Sequence, residues 1–113
     1  MTKILIVEDE EAIRKFIRVN LELENYTVEE APSGEIALEL AKTFKPDIVL
    51  LDIMLPGIDG FQVCSYLRSY EEVMGIIMLT AKNQDIDKIQ GFEAGSDDYI
   101  SKPFVGEEVV ARI

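Results

Sequence analysis

The run Asp47-Ile48-Val49-Leu50-Leu51, followed at once by Asp52, decides how this chain folds. Five residues are too few for a typical helix, and the Ile, Val and Leu follow one another without polar alternation. A strand of that kind is buried on both faces, as in a parallel sheet covered by helices. Residues 3–7 and 75–79 repeat the pattern, and 27–30 and 98–100 are shorter candidates. Helical spacing fills the intervals. Ile13, Phe16, Ile17 and Leu21 predict a first helix, and Ile36, Ala37, Leu40, Ala41 and Phe44 a second, opened by Ser33 as N-cap. Asp59 with Gln62 has the spacing of a capping box for a third helix. Ile86 and Ile89 mark a short, weakly apolar fourth, with Gly95 at its C-terminal turn. Five strand–helix repeats make this an α/β domain, its parallel sheet wound with helices on both faces.

The 113 residues suffice for one domain, 1–113, with a 48% apolar share to fill its core. One cysteine excludes an internal disulfide and suits a reducing cytoplasm. Neither a signal peptide nor the roughly 20 apolar residues of a membrane span can be found, so the expected location is cytoplasmic. A net charge of −11 argues against these residues gripping nucleic acid. Histidine is absent, which removes imidazole acid–base catalysis, imidazole metal ligands and phosphohistidine chemistry within the chain. Phosphoryl transfer here would use a carboxylate or hydroxyl.

Parallel strands all open their C-terminal ends onto one sheet edge, where ligands bind. Glu8 and Asp9 follow the first strand, Asp52 the third, Thr80 the fourth and Lys102 the fifth. Taken singly, Asp52 reads as a loop cap, Asp9 as the acid of a helix start and Thr80 as a satisfied strand-end hydroxyl; taken together they read as a site. If the first and third strands are neighbours, their carboxylates converge, and two ionised carboxylates about 5 Å apart repel by roughly 3 kcal/mol. Such a cluster calls for a cation. Few, hard oxygen donors favour Mg²⁺ with retained waters over Ca²⁺ or zinc, and the carbonyl of Met54 is a further oxygen.

The segments Ile4-Leu5-Ile6-Val7-Glu8-Asp9-Glu10, Leu51-Asp52-Ile53-Met54-Leu55-Pro56-Gly57-Ile58-Asp59-Gly60, Met78-Leu79-Thr80-Ala81 and Asp97-Asp98-Tyr99-Ile100-Ser101-Lys102-Pro103-Phe104 resemble the receiver domain of two-component response regulators, and most of all the winged-helix (OmpR/PhoB-type) transcriptional regulators. The resemblance implies a flavodoxin-like, five-stranded sheet in the order 2-1-3-4-5, with two helices on one face and three on the other. It implies that Asp52 accepts a phosphoryl group from a sensor histidine kinase. Glu8, Asp9, Asp52 and the Met54 carbonyl would hold Mg²⁺, and Lys102 would bring a second positive charge to the phosphoryl oxygens. Thr80 and Tyr99 would be the switch pair, and the Lys102-Pro103 bond would be cis. A receiver assists its own phosphorylation and dephosphorylation without being an enzyme in the turnover sense. Glu8 stands where the family more often has Asp, which implies a shifted, water-mediated metal contact. Val105-Gly106 departs from the family's start of the last helix.

Lys88, Asp97, Asp98, Glu108 and Arg112 read first as a solvated mixed-charge face. They also resemble the set through which winged-helix regulators pair two receivers, implying a homodimer across the helix 4–strand 5–helix 5 face. Val105, Val109 and Ile113 keep helical spacing up to an apolar last residue, so the expectation is an N-terminal receiver of a longer chain, touching DNA only through a further domain. A stand-alone receiver, or one with an enzyme output, is the alternative within the same chemistry. A flavin carrier of the same fold needs a Gly/Ser/Thr phosphate loop after the first strand, where this chain has Glu8-Asp9-Glu10-Glu11. A dehalogenase-like phosphatase would place its aspartate nucleophile after the first strand. Cys64 reads as a small buried hydrophobe.

Overall fold

The computed structural model describes residues 2–70, 74–80 and 98–101, and at Tyr70, Thr80 and 98–101 the backbone alone. Within them lie five strands and three helices: β1 (Lys3–Val7), α1 (Glu11–Leu23), β2 (Thr27–Ala31), α2 (Gly34–Phe44), β3 (Ile48–Asp52), α3 (Gly60–Tyr70), β4 (Gly75–Thr80) and β5 (Asp98–Ser101). All neighbouring strands pair in parallel, in the order β2-β1-β3-β4-β5.

The unbroken apolar runs are the central strands, as their composition requires. Ile4 to Val7 and Val49 to Leu51 have no exposed surface. Because successive side chains of a strand point to opposite faces, each run feeds two cores. Leu5, Val7, Val49 and Leu51 pack with Ala37, Ala41, Val63 and Leu67 of α2 and α3. Ile4, Ile6 and Leu50 pack with Ile17 and Leu21 of α1 on the opposite face. Edge strand β2 needs less: in Thr-Val-Glu-Glu-Ala only Val28 and Ala31 are buried.

Local signals hold where chemistry is explicit. Ser33 accepts the Ile36 N–H at 3.3 Å. Asp59 and Gln62 exchange side-chain-to-backbone bonds at 3.0 and 2.9 Å, which is the capping box that starts α3. Cys64 is fully buried. Strands β2, β4 and β5 each run one residue beyond the expected end, and three further details differ. The third strand begins at Ile48 and includes Asp52, which pairs with Leu79; Asp47 stands just before it, its carboxylate accepting the Lys3 N–H at 2.8 Å. Phe16 is 44% and Ile36 45% exposed. Each lies one residue, about 100° round its helix, before a buried residue, Ile17 or Ala37, at the rim of the apolar stripe. The expected helical segments around Ile86 and Ile89, and around Val105 and Val109, lie outside the described residues. Among the described residues no helix is long and apolar enough to cross a membrane.

Candidate metal centre

From β1 the chain first crosses to β2, then returns past β1 to β3. That reversal opens a crevice at the carboxyl ends of β1 and β3, the usual ligand position in a doubly wound sheet. The register sets Val7, the last residue of β1, beside Leu51, so Glu8, just past β1, and Asp52, the last residue of β3, each lie one step beyond that pair.

Side-chain oxygens of Glu8, Asp9 and Asp52 lie within 4.8 Å of one another. Glu8 is fully buried and Asp52 is 2% exposed, whereas Asp9 faces solvent. At that separation each ionised pair repels by about 3 kcal/mol in a medium of effective dielectric near 20. The donor set is small and made of hard oxygens, which fits a Mg²⁺ that keeps part of its water shell.

Backbone and side chains together hold the three acids in place. The Glu8 N–H donates to the Ala31 carbonyl at 3.1 Å, tying the end of β1 to the end of β2. The Glu8 carboxylate accepts the Glu10 N–H at 3.2 Å. Arg14, one turn into α1, donates through Nη1 to the carbonyls of Glu8 (2.8 Å) and Asp9 (3.2 Å). Its Nε bonds Glu30 at 3.1 Å, and Arg18 Nη1 bonds the other Glu30 oxygen at 2.6 Å. Burial alone would raise the Glu30 pKa; the hydrogen bonds from Arg18 and then Arg14 outweigh it and hold the carboxyl below its ordinary 4.5. The bond to Glu30 is likewise what raises Arg18 above its ordinary value.

Asp52 is fixed differently. Its Oδ1 accepts the Met54 N–H at 3.3 Å. The Ile53 N–H donates to Leu79 on β4, and the Gly60 N–H returns to the Ile53 carbonyl at 2.9 Å. The first residue of α3 is thereby folded back against the strand end. A Cβ on Gly60 would fall inside 3.0 Å of the Asp52 carbonyl oxygen and of Ile53 Cα, so only glycine lets the helix start there. At the turn between, Gly57 has φ +75°, and Glu35 of α2 accepts the Ile58 N–H at 3.2 Å.

Of the expected site, the structure brings Glu8, Asp9 and Asp52 together. Met54 contributes its N–H to Asp52 while its side chain is 71% exposed. Thr80 ends β4 and pairs with Ser101; Tyr99 pairs with Met78. Both are placed by backbone only: Thr80 at the strand end on the edge that holds the acids, Tyr99 two residues before the end of β5. Lys102, with Pro103, and the face residues Lys88, Asp97, Glu108 and Arg112 lie outside the described residues, and Asp98 opens β5. Arg14, Glu30 and Glu35 do not stand out in the sequence. The one available signal was the Arg14–Arg18 spacing, one helical turn apart, shortly after the acidic loop.

A doubly wound sheet with three acids at its switch point is an α/β module with the donor set for a divalent cation. Residues 4–113 match the model of the response regulator receiver domain, and the chain belongs to that family. It is 50% identical over 111 residues to the alkaline phosphatase synthesis transcriptional regulatory protein PhoP of Bacillus subtilis (strain 168), covering 98% of this chain and 46% of PhoP. With the transcriptional regulatory protein ResD of the same organism identity is 49% over 112 residues, covering 99% and 46%. The chain thus spans about half the length of these curated relatives. Among solved structures, the BeF3-activated receiver domain of DrrB, a Thermotoga maritima OmpR/PhoB homologue, superposes with a TM-score of 0.91 at 35% identity, covering 99% of this chain and 93% of that one.

Proposed function

We propose that this receiver domain carries a phosphoryl group on Asp52, taken from a phosphohistidine of a sensor kinase, and that the modified state switches a transcriptional output. The observation that carries this reading is the convergence of Glu8, Asp9 and Asp52 within 4.8 Å at the switch-point crevice. An Asp52 oxygen attacks phosphorus, the P–N bond breaks, and its electron pair leaves with the kinase imidazole. Glu8, Asp9, Asp52 and the Met54 carbonyl would hold Mg²⁺, which when bound neutralises the charge gathered on the phosphoryl oxygens. Lys102 is proposed as the second cation there. The chain assists its own modification and removal of the phosphoryl group; it is not a turnover enzyme.

Thr80 and Tyr99, on adjacent strands that end at the same sheet edge, are the proposed switch pair. The added phosphoryl charge and acceptor oxygens give the two states different contacts, which is what a population shift requires. Pairing of two phosphorylated copies through Lys88, Asp97, Asp98, Glu108 and Arg112 is the proposed readout. DNA contact is proposed for a further domain, in keeping with PhoP and ResD being transcriptional regulatory proteins of which this chain covers 46%. The receiver match favours this reading over the flavin carrier.

Incubation with acetyl phosphate tests it by intact mass. The wild type is expected to gain one phosphoryl group with Mg²⁺ and none with EDTA, and Asp52→Asn to gain none. Equal labelling of Asp52→Asn would overturn the assignment. Gel filtration of the phosphorylated chain addresses pairing, which an unchanged elution volume would refute.

A further inference from the structure

Arg14 touches none of the three carboxylates, yet it holds the backbone that carries two of them. Its Nη1 reaches the carbonyls of Glu8 and Asp9. These belong to the Glu8–Asp9 and Asp9–Glu10 peptide units, the two rigid planes on either side of the Asp9 Cα. With both planes pinned, Asp9 has little torsional freedom left, and the direction of its Cα–Cβ bond is set. The Asp9–Glu10 unit is gripped at its other end too, because its N–H donates to the Glu8 carboxylate. One side of that peptide is held by Arg14 and the other by a member of the acidic cluster.

The guanidinium is itself anchored. Nε bonds Glu30 near the end of β2, and Glu30 is also held by Arg18, four residues along α1. The Arg14 and Glu30 side chains are only 15% and 21% exposed, unlike the open Lys15–Glu11 and Lys42–Glu39 pairs. The planar fork points Nε–H at a carboxylate and Nη1–H at two carbonyls from separate nitrogens, whereas a lysine ammonium carries all its donors on one.

We infer that Arg14 is a positioning residue for the metal site: through Glu30 it ties the acidic loop to β2 and presets Asp9 and Glu8 for a divalent cation. The inference rests on the proposed Mg²⁺ reading. Outer partners that orient metal ligands commonly change affinity by about ten- to a hundredfold when removed.

The sign of the effect separates positioning from simple charge. Arg14 is a cation near a cation site, so deleting it should tighten Mg²⁺ binding if only electrostatics matter. Positioning demands the reverse. Calorimetric titration of the full chain with MgCl₂ is expected to show Arg14→Met binding about tenfold more weakly than wild type. Arg14→Lys, which keeps the charge and loses the fork, is expected to fall between them. Amide hydrogen exchange at Glu10, measured without metal, should be faster in both variants. Mg²⁺ affinity in Arg14→Met equal to or tighter than wild type would overturn the inference. Should Arg14→Met not fold, unchanged affinity and unchanged Glu10 exchange in Arg14→Lys would do the same. If the wild type binds no Mg²⁺, the metal reading itself fails, and unchanged Glu10 exchange in Arg14→Lys then disposes of the clamp as well.

Discussion

Two neighbouring strand ends deliver the acids of this domain, and the loops that leave them are held by unlike means. The loop after β1, carrying Glu8 and Asp9, is fastened by charged side chains from α1 and β2. The loop after β3 is fastened mainly by its own backbone: Gly60 pressed on Asp52, Gly57 at positive φ, and the capping box of Asp59 and Gln62. One grip depends on protonation state; the other depends on steric room. The site should therefore fail in two distinguishable ways.

The steric grip should give the largest effect. Gly60→Ala sets a methyl group against backbone atoms that have no flexible end to yield. It is expected to lower stability by about 3 kcal/mol, read from urea unfolding, with loss of acetyl phosphate labelling because Asp52 itself is displaced. At Gly57 the obstacle is softer. An alanine there meets Glu35 Oε2 at 2.5 Å, a side-chain end that can move, and adopts φ +75° at a strain of about 1–2 kcal/mol. Urea midpoints should rank Gly57→Ala between wild type and Gly60→Ala; the opposite ranking would mean that the backbone contact at Gly60 is not the constraint.

The charged grip is the weaker one and titrates. Since the Glu30 carboxyl is held below 4.5 when folded, its bonds to Arg18 and Arg14 contribute fully above that value and are lost as pH falls through the lowered one. Glu30→Gln is expected to cost about 1–2 kcal/mol at neutral pH. It should also flatten the decline of melting temperature below about pH 4.5; an identical acid profile in wild type and variant would refute the role. Smallest is the effect of the cation. Millimolar Mg²⁺ at roughly five times its Kd should add about 1 kcal/mol, detected as a melting temperature that drops on adding EDTA. An unchanged melt would count against the acids as a metal site.

Between the two loops, legibility in the sequence also differed. Asp59 with Gln62 could be read because capping is local, fixed by a spacing of three residues. The clamp of Arg14 on Glu30 could not, since sixteen residues separate them and either side chain alone looks like solvated charge. Phe16 and Ile36 matched the helical period yet lie at the stripe's rim, because periodicity gives the direction of a face and not how far the packing reaches round it.

Composition and period therefore fixed much of this protein before any coordinates. Unbroken Ile/Val/Leu runs of four residues at 4–7 and 48–51 suit strands covered by helices on both faces, which favours a parallel α/β sheet and places the strand-end acids on one edge. The meeting of Glu8, Asp9 and Asp52 was implied by the family resemblance; what only the tertiary structure decided is how closely they meet and what restrains them. That depends on strand order, which sets β1 between β2 and β3, and on contacts between residues far apart in the chain. Such contacts form only once burial has fixed the register, and so they leave no periodic trace in the sequence.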